Sequence, residues 1–413
     1  MKLRLFLHVV LIVAIFAPLS VAAQADACPD GPVADDAPVV TIGATASQTG
    51  RYAREGVQML NGYNLWLDWV NQEAGGINVD GVCHLAALVV YDDESGKLQV
   101  ESLYQQLIEE DGVDVLLAPY ASDLTEVASE VADAAGVLMV EGNGAAEGLF
   151  ERGYENFFGV LTPASQYTRS GIEAAYALGA RTAVLAYENA TFAEAVAVGA
   201  QATMEELGIE VLGVETYAVG AEDLTGLFTD FAALKPDLFV GGGHYEDAVL
   251  IVQTARSYDF NPAAFLITVG PSIPSFVTDL GDDAEYVWGA SQWESSLGFE
   301  DAWFGTAAEF AVRYEGLYDV PPSYQAASAS AAALVLQLGI EAAGSTETDV
   351  VSAALRDLEV ETFYGPIDFD ETGKNIAKPM VTTQIQAGEI VVIAPEEAAV
   401  AEPFYPSPAW DER

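Results

Sequence analysis

Residues Pro38–Asn71 read PVVTIGATASQTGRYAREGVQMLNGYNLWLDWVN. Val39, Val40, Thr41 and Ile42 form a short β-branched run, which predicts a strand. Ala44–Gly50 is small and polar, so the strand stops there. From Arg54 apolar residues recur at helical spacing, with Val57, Leu60, Leu65 and Trp69 as the expected buried stripe. Strand, small-residue loop and helix N-terminus make a crevice at the carboxyl end of a parallel strand, where open α/β sheets bind ligands. Free backbone N–H groups there favour anionic groups.

The pattern repeats outward from this unit. LAALVVY (85–91), VDVLLA (113–118) and VLMV (137–140) read as strands, separated by helices over 97–109 and 122–135. A second round of strands (182–187, 210–217, 237–240, 264–268) alternates with helices (165–178, 192–206, 223–234, 245–258). Such βα repeats imply parallel sheets with helices on both faces. Another strand is expected at 285–292, helices near 300–315, 324–342 and 347–357, and a hairpin over 381–393 that turns at Gly388. Residues 394–413 are rich in Pro, Ala and acid and read as a flexible tail. The 413 residues suit two lobes better than one core.

Residues 1–25 read as a secretory signal peptide, with Lys2 and Arg4, an apolar run over Leu5–Ala17 interrupted by His8, and the cleavage site Ala23-Gln24-Ala25. The apolar run is shorter than the ~20 residues of a membrane span. No later stretch reads as a span, so the mature chain is expected to be soluble and periplasmic or extracellular. The formal net charge is −48, which disfavours nucleic acid and anionic lipid as partners. Cys28 and Cys83 are expected to pair, which an exported compartment allows. A lipid-modified Cys28 is the alternative, although Asp26 and Ala27 do not resemble a lipoprotein signal.

Catalytic signals are weak. Beyond residue 25 only His84 and His244 are present, and there is no G-x-S-x-G elbow. No Cys/His cluster has metal-ligand spacing, so neither metal nor cofactor is expected. Asp92-Asp93-Glu94 and His244-Tyr245-Glu246-Asp247 fall where strands meet helices, where capping is the ordinary role. Gly241-Gly242-Gly243 lacks the third glycine of a dinucleotide fingerprint, because Glu246 stands there.

TIGATASQTGRYAREGVQMLNG (41–62), GGI (75–77), YDDESG (91–96), GVLMVEGNGAAEGLFERGYENFFGV (136–160) and YGPIDFDETGK (364–374) together resemble the periplasmic binding proteins of branched-chain amino-acid (leucine/isoleucine/valine) transport. The likeness runs over about 38–393. It implies two doubly wound parallel-sheet lobes joined by three crossover strands, near 159–163, 288–293 and 362–367. Lobe I would hold 36–160 and 290–363, and lobe II 161–289 and 364–393. The lobes would close on a ligand by a hinge, and a monomer would present it to an ATP-driven permease. The resemblance implies binding, not catalysis.

Site residues carry over by position. Ser122 in APYASDLTEVAS would bond the ligand's polar head, and Asn143, Gly144 and Ala145 would offer backbone N–H groups to a carboxylate. Phe192 in NATFAEA and Tyr245, beside His244, match two aromatic positions of the second lobe. Val269 in TVGPSIP stands where the family has the acid that binds the ligand's ammonium. Glu55 is the replacement candidate, with Glu188 and Glu246 as others. Tyr52, Tyr120 and Trp293 are candidates for stacking on a ligand, whereas Trp66 and Trp69 are expected in the core. An aliphatic amino acid is the first expectation for the ligand. Amides, urea-like compounds, small aromatic acids and a sensory role with a membrane receptor remain as alternatives.

Overall fold

The structure, a computed structural model, describes residues 28–413; the expected signal peptide lies outside them. The opening unit is strand β1 (Val39–Ala46) and helix α1 (Ala53–Gln72). Then follow β2 (Ile77–Val79), β3 (Val82–Asp92), α2 (Lys97–Glu109), β4 (Val115–Leu117), α3 (Ser122–Ala135), β5 (Met139–Glu141) and β6 (Phe157–Gly159). These strands form one sheet in the order β2-β3-β1-β4-β5-β6, parallel except at β2. From β1 the chain goes to β3 on one side and then to β4 on the other. The crevice of this first lobe therefore opens where β1 and β4 end.

The second round comprises α4 (Arg169–Leu178), β7 (Thr182–Glu188), α5 (Thr191–Leu207), β8 (Glu210–Tyr217), α6 (Thr225–Leu234), β9 (Leu238–Gly242), α7 (Tyr245–Ser257), β10 (Ala264–Ile267), α8 (Ser275–Leu280) and β11 (Trp288–Ser291). The chain returns to the first lobe as α9 (Ala307–Tyr318), α10 (Tyr324–Ala343) and α11 (Thr348–Arg356). A hairpin of β12 (Glu359–Thr362) and β13 (Gly365–Asp368) precedes β14 (Val381–Gln386) and β15 (Glu389–Ala394). The second sheet runs β15-β14-β11-β10-β9-β7-β8, with the β14 and β15 edge antiparallel. Its order reverses between β7 and β9, so its crevice opens there.

Lobe I packs α1 against α10. Leu65 and Trp69 of the expected stripe are buried and Leu60 is half-buried, while Val57 is 40% exposed; the buried face of α1 also carries Met59, Tyr63, Trp66 and Val70. Gly62 lets the two helices touch: a Cβ there would lie 2.2 Å from the Ala326 carbonyl oxygen. Helix α10 is long and apolar enough to cross a membrane, a property the sequence reading missed. Here it is mostly buried, and it serves as the core helix of lobe I.

Three segments depart from expectation. The boundary at 363/364 divides the β12–β13 hairpin, and residues 373–375 bond to Gly159 at the end of β6, so this stretch stays with lobe I. Residues 394–413 are not loose. Trp410 is buried and donates from Nε1 to the Phe260 carbonyl at 3.0 Å, and the Arg413 guanidinium lies 3.6 Å from the Trp410 ring centre. A further short strand, β2, pairs with β3 where Cys83 lies. Cys28 and Cys83 form a disulfide with Cα atoms 5.8 Å apart, tying the chain ahead of β1 to β3.

The lobes are joined where three crossings meet around Gln292. Its Oε1 accepts from the Thr162 N–H at 3.2 Å and the Tyr364 hydroxyl at 3.3 Å, and its Nε2 donates to the Thr162 carbonyl at 2.9 Å. The Lys378 ammonium donates to the Gln292 carbonyl, and burial lowers its pKa to about 7.

Candidate functional site

The two crevices face each other across one small shared gap of about 10 Å³, room for about one water molecule, so the lobes must part to admit a solute. Lobe I supplies Tyr120, Ala121 and Ser122 after β4, Asn143 and Ala145 after β5, and Tyr324 at the start of α10. Lobe II supplies Phe192 after β7, His244 after β9 and Val269 after β10, while Leu161 and Tyr167 come from the first crossing and its continuation.

Helix α3 opens at the cavity with no side-chain cap on its first turn. Its leading N–H groups are therefore open to an acceptor, and the helix dipole favours an anion. Ala121, just ahead of it, has φ +73 and ψ 141, a region that suits glycine. Strain of this kind at the cavity wall marks a position held by its surroundings. The Ser122 hydroxyl accepts from the Ala146 N–H at 3.1 Å, which joins the α3 start to the 142–146 loop. Asn143 donates from Nδ2 to the Gln325 carbonyl at 3.3 Å, and its buried Oδ1 has no partner.

Glu141 shapes that loop. Its Oε2 accepts from the Gly144 N–H at 2.6 Å, and burial, opposed by the N–H groups of Gly144, Asn143 and Leu161, raises its pKa to about 8. Sequence reasoning missed it. The available signal was an acid ending an otherwise apolar strand.

The far wall is aromatic. The Phe192 ring stands 5.0 Å from Tyr167 and 5.4 Å from His244, centre to centre. The Tyr120 hydroxyl lies 2.8 Å from His244 Nδ1 and 3.3 Å from Glu55 Oε1. Burial, with the nearby Arg51 charge, lowers the His244 pKa to about 3, so the ring is neutral. Glu55 is fully buried, which raises its pKa to about 7. It sits behind the wall, where Oε1 accepts from the Tyr245 N–H of lobe II at 2.9 Å.

Of the expected contacts, Tyr120, Ser122, Asn143, Ala145, Phe192 and His244 line the cavity, and Glu55, Gly144 and Tyr245 do not. The Gly144 N–H is taken by Glu141, and the Tyr245 hydroxyl is turned to Asp279 at 2.7 Å. Tyr52 packs edge-on against Tyr120 and His244, and Trp293 is held at the hinge by a bond to the Phe363 carbonyl. Glu188 pairs with Arg51, and Glu246 is exposed. The acids at 92–93 are spent on their turn: Asp93 accepts from the Thr45 and Ser47 hydroxyls, and Asp92 from Gln48 and Thr49. Asp247 accepts from the His244 N–H in a capping box. Among the described residues no three His, Cys, Asp or Glu side chains gather as a metal site.

Comparison with known proteins agrees with this fold. The Leu/Ile/Val-binding protein BraC3 of Rhizobium johnstonii is 27% identical over 358 residues, covering 85% of this chain and 93% of its own length. The fold resembles the branched-chain amino acid substrate-binding protein LivJ of Streptococcus pneumoniae, solved with isoleucine (TM-score 0.75, 22% identity, 86% of this chain and 100% of that one). It also resembles an ABC-transporter solute-binding protein of R. palustris solved with benzoate (TM-score 0.72, 19% identity, 89% of this chain and 99% of that one). The family model for periplasmic binding proteins matches residues 39–389, and the chain belongs to that family.

Proposed function

We propose that this chain captures one small carboxylate-bearing solute in the interlobe cavity and presents the closed complex to the permease of an ABC transporter outside the cytoplasm. One observation carries the reading. Ser122, Asn143 and Ala145 of lobe I and Phe192, His244 and Val269 of lobe II wall a single cavity, although they come from loops far apart in the chain. The uncapped α3 N-terminus suits a carboxylate, and the aromatic wall suits an apolar remainder. The isoleucine and benzoate bound by the two structural relatives share a carboxylate. Ligand that binds only the closed form shifts the hinge equilibrium towards it.

The test is a thermal-shift screen of small carboxylic acids and amino acids, since a ligand of the folded state raises Tm by mass action. At least one carboxylate is expected to raise Tm, and Ser122→Ala is expected to shrink that shift. A screen in which only neutral compounds shift Tm overturns the carboxylate reading.

A further inference from the structure

Resting on that reading, we propose that the solute is a monocarboxylate without an ammonium group, an aliphatic or aromatic acid, and that the cleft rejects the matching α-amino acid. No lining residue carries a carboxylate. The acids nearby do not line it, and each already accepts from another group, although one oxygen each of Glu55, Glu141 and Glu188 is buried without a partner. Glu55 takes the Tyr245 N–H from behind the wall. Glu188 lies 2.5 Å from the Arg51 guanidinium. Asp247 is shared between the His244 N–H and Arg51. Glu141 holds the Gly144 N–H.

An ammonium enclosed here meets the Phe192, Tyr167 and Val269 walls and a neutral His244. Among the lining side chains one buried acceptor lacks a partner, Asn143 Oδ1. A single neutral amide oxygen does not offset the desolvation of a full positive charge, which costs several kcal/mol when unpaired. The carboxylate end is provided for by the α3 N-terminus and Ser122. The cleft is therefore built for an anion at one end and apolar surface at the other.

Calorimetric titration of the whole exported chain with two matched pairs tests this: 4-methylpentanoate against leucine, and 3-phenylpropanoate against phenylalanine. Each pair differs only in the amino group. In at least one pair the acid is expected to bind about tenfold or more tighter than the amino acid. An amino acid that binds as tightly as its acid, or tighter, overturns the inference and leaves the carboxylate reading standing. If no acid or amino acid binds while 4-methylpentanamide does, the carboxylate reading fails and the inference with it. Val269→Glu places a carboxylate in the lining, and it is expected to reverse the preference in the same titration. The wild-type comparison stands even if that variant does not fold.

Discussion

Arg51 Nη2 lies 2.5 Å from Glu188 Oε1, and this ion pair joins the start of α1 in lobe I to the end of β7 in lobe II. Arg51 also reaches Asp247 at 3.4 Å, and its side chain is 24% exposed. Close by, the Glu55 carboxylate takes the Tyr245 N–H, and the Tyr120 hydroxyl meets His244. The jaws are thus fastened by Arg51, Glu188, Asp247, Glu55 and the Tyr245 N–H, which lie beside the cavity, and by Tyr120 and His244, which line it. Arg51→Met removes the cation and leaves Glu188 and Asp247 facing each other in a partly buried site. Closure is expected to weaken by about 1.5–3 kcal/mol, the range for hydrogen bonds to charged groups. Ligand affinity should fall tenfold or more, and small-angle scattering at a fixed ligand concentration should show a larger radius of gyration. Unchanged affinity and radius would show that the pair contributes nothing to closure.

Glu55 and His244 make the same region respond to pH in opposite directions. Burial lifts Glu55 to about 7, so folding favours its protonated form. Its contribution is fully present below its ordinary value of 4.5 and is lost as pH rises through 7. Burial and Arg51 lower His244 to about 3, so folding favours the neutral ring. That contribution is fully present above 6.5 and is lost as pH falls towards 3. Glu55→Gln should therefore gain stability relative to wild type, by an amount on the order of 3 kcal/mol, as pH rises from 4.5 to 7. Little further change is expected above that. His244→Gln should gain relative to wild type as pH falls below 6.5. Denaturant unfolding at matched ionic strength measures both, and parallel pH curves for variant and wild type would contradict the assignment.

The β1–loop–α1 unit and the strand-end loops were legible because each is local. A β-branched run, a small-residue loop and a helical apolar period sit within a few dozen residues. Ser122 and Asn143 could be placed because they follow strands directly. Tyr167 and Tyr324 could not. No local pattern marks them, and only the crossings and the packing of α10 bring them to the cavity. Glu55 was chosen as an acid for the ligand, but its partner is a backbone N–H 190 residues away, a pairing that leaves no mark in sequence. The tail misled by composition, since Pro and acid suggest a loose chain while Trp410 and Phe404 anchor it.

Gly62→Ala offers a test of packing in which propensity and contact oppose each other. Alanine is the better helix former by about 1 kcal/mol. A Cβ at this position would meet the Ala326 carbonyl oxygen at 2.2 Å and the Ala329 Cβ at 2.9 Å. Backbone atoms of a neighbouring helix do not step aside as a side chain does. Helices α1 and α10 must separate, which also stretches the 2.6 Å bond from the Ser330 hydroxyl to the Gly62 carbonyl. Overpacking of this kind costs about 1–3 kcal/mol, so the variant should show a lower Tm. An unchanged or higher Tm would mean that the helices are not in contact there.

Trp410 tests whether the last residues belong to the folded body of lobe II. Its indole N–H bonds to the Phe260 carbonyl, and its ring lies edge-on to Phe265, 6.1 Å centre to centre. Arg413 closes over it and donates to the Glu285 and Pro408 carbonyls, at 3.0 and 3.2 Å. Between this anchor and β15, Phe404 is bound to the Gln384 side chain through both its N–H and its carbonyl. Trp410→Ala opens a cavity against Phe265 and removes the hydrogen bond to the Phe260 carbonyl, so a loss of about 3–5 kcal/mol is expected. Hydrogen exchange should then rise along residues 395–413 and in β10 beneath them. A chain cut after residue 394 should lose at least as much stability as the point variant, because it also forfeits the Phe404 and Arg413 contacts. If the truncated chain melts at the wild-type temperature, the final segment adds nothing to the stability of lobe II.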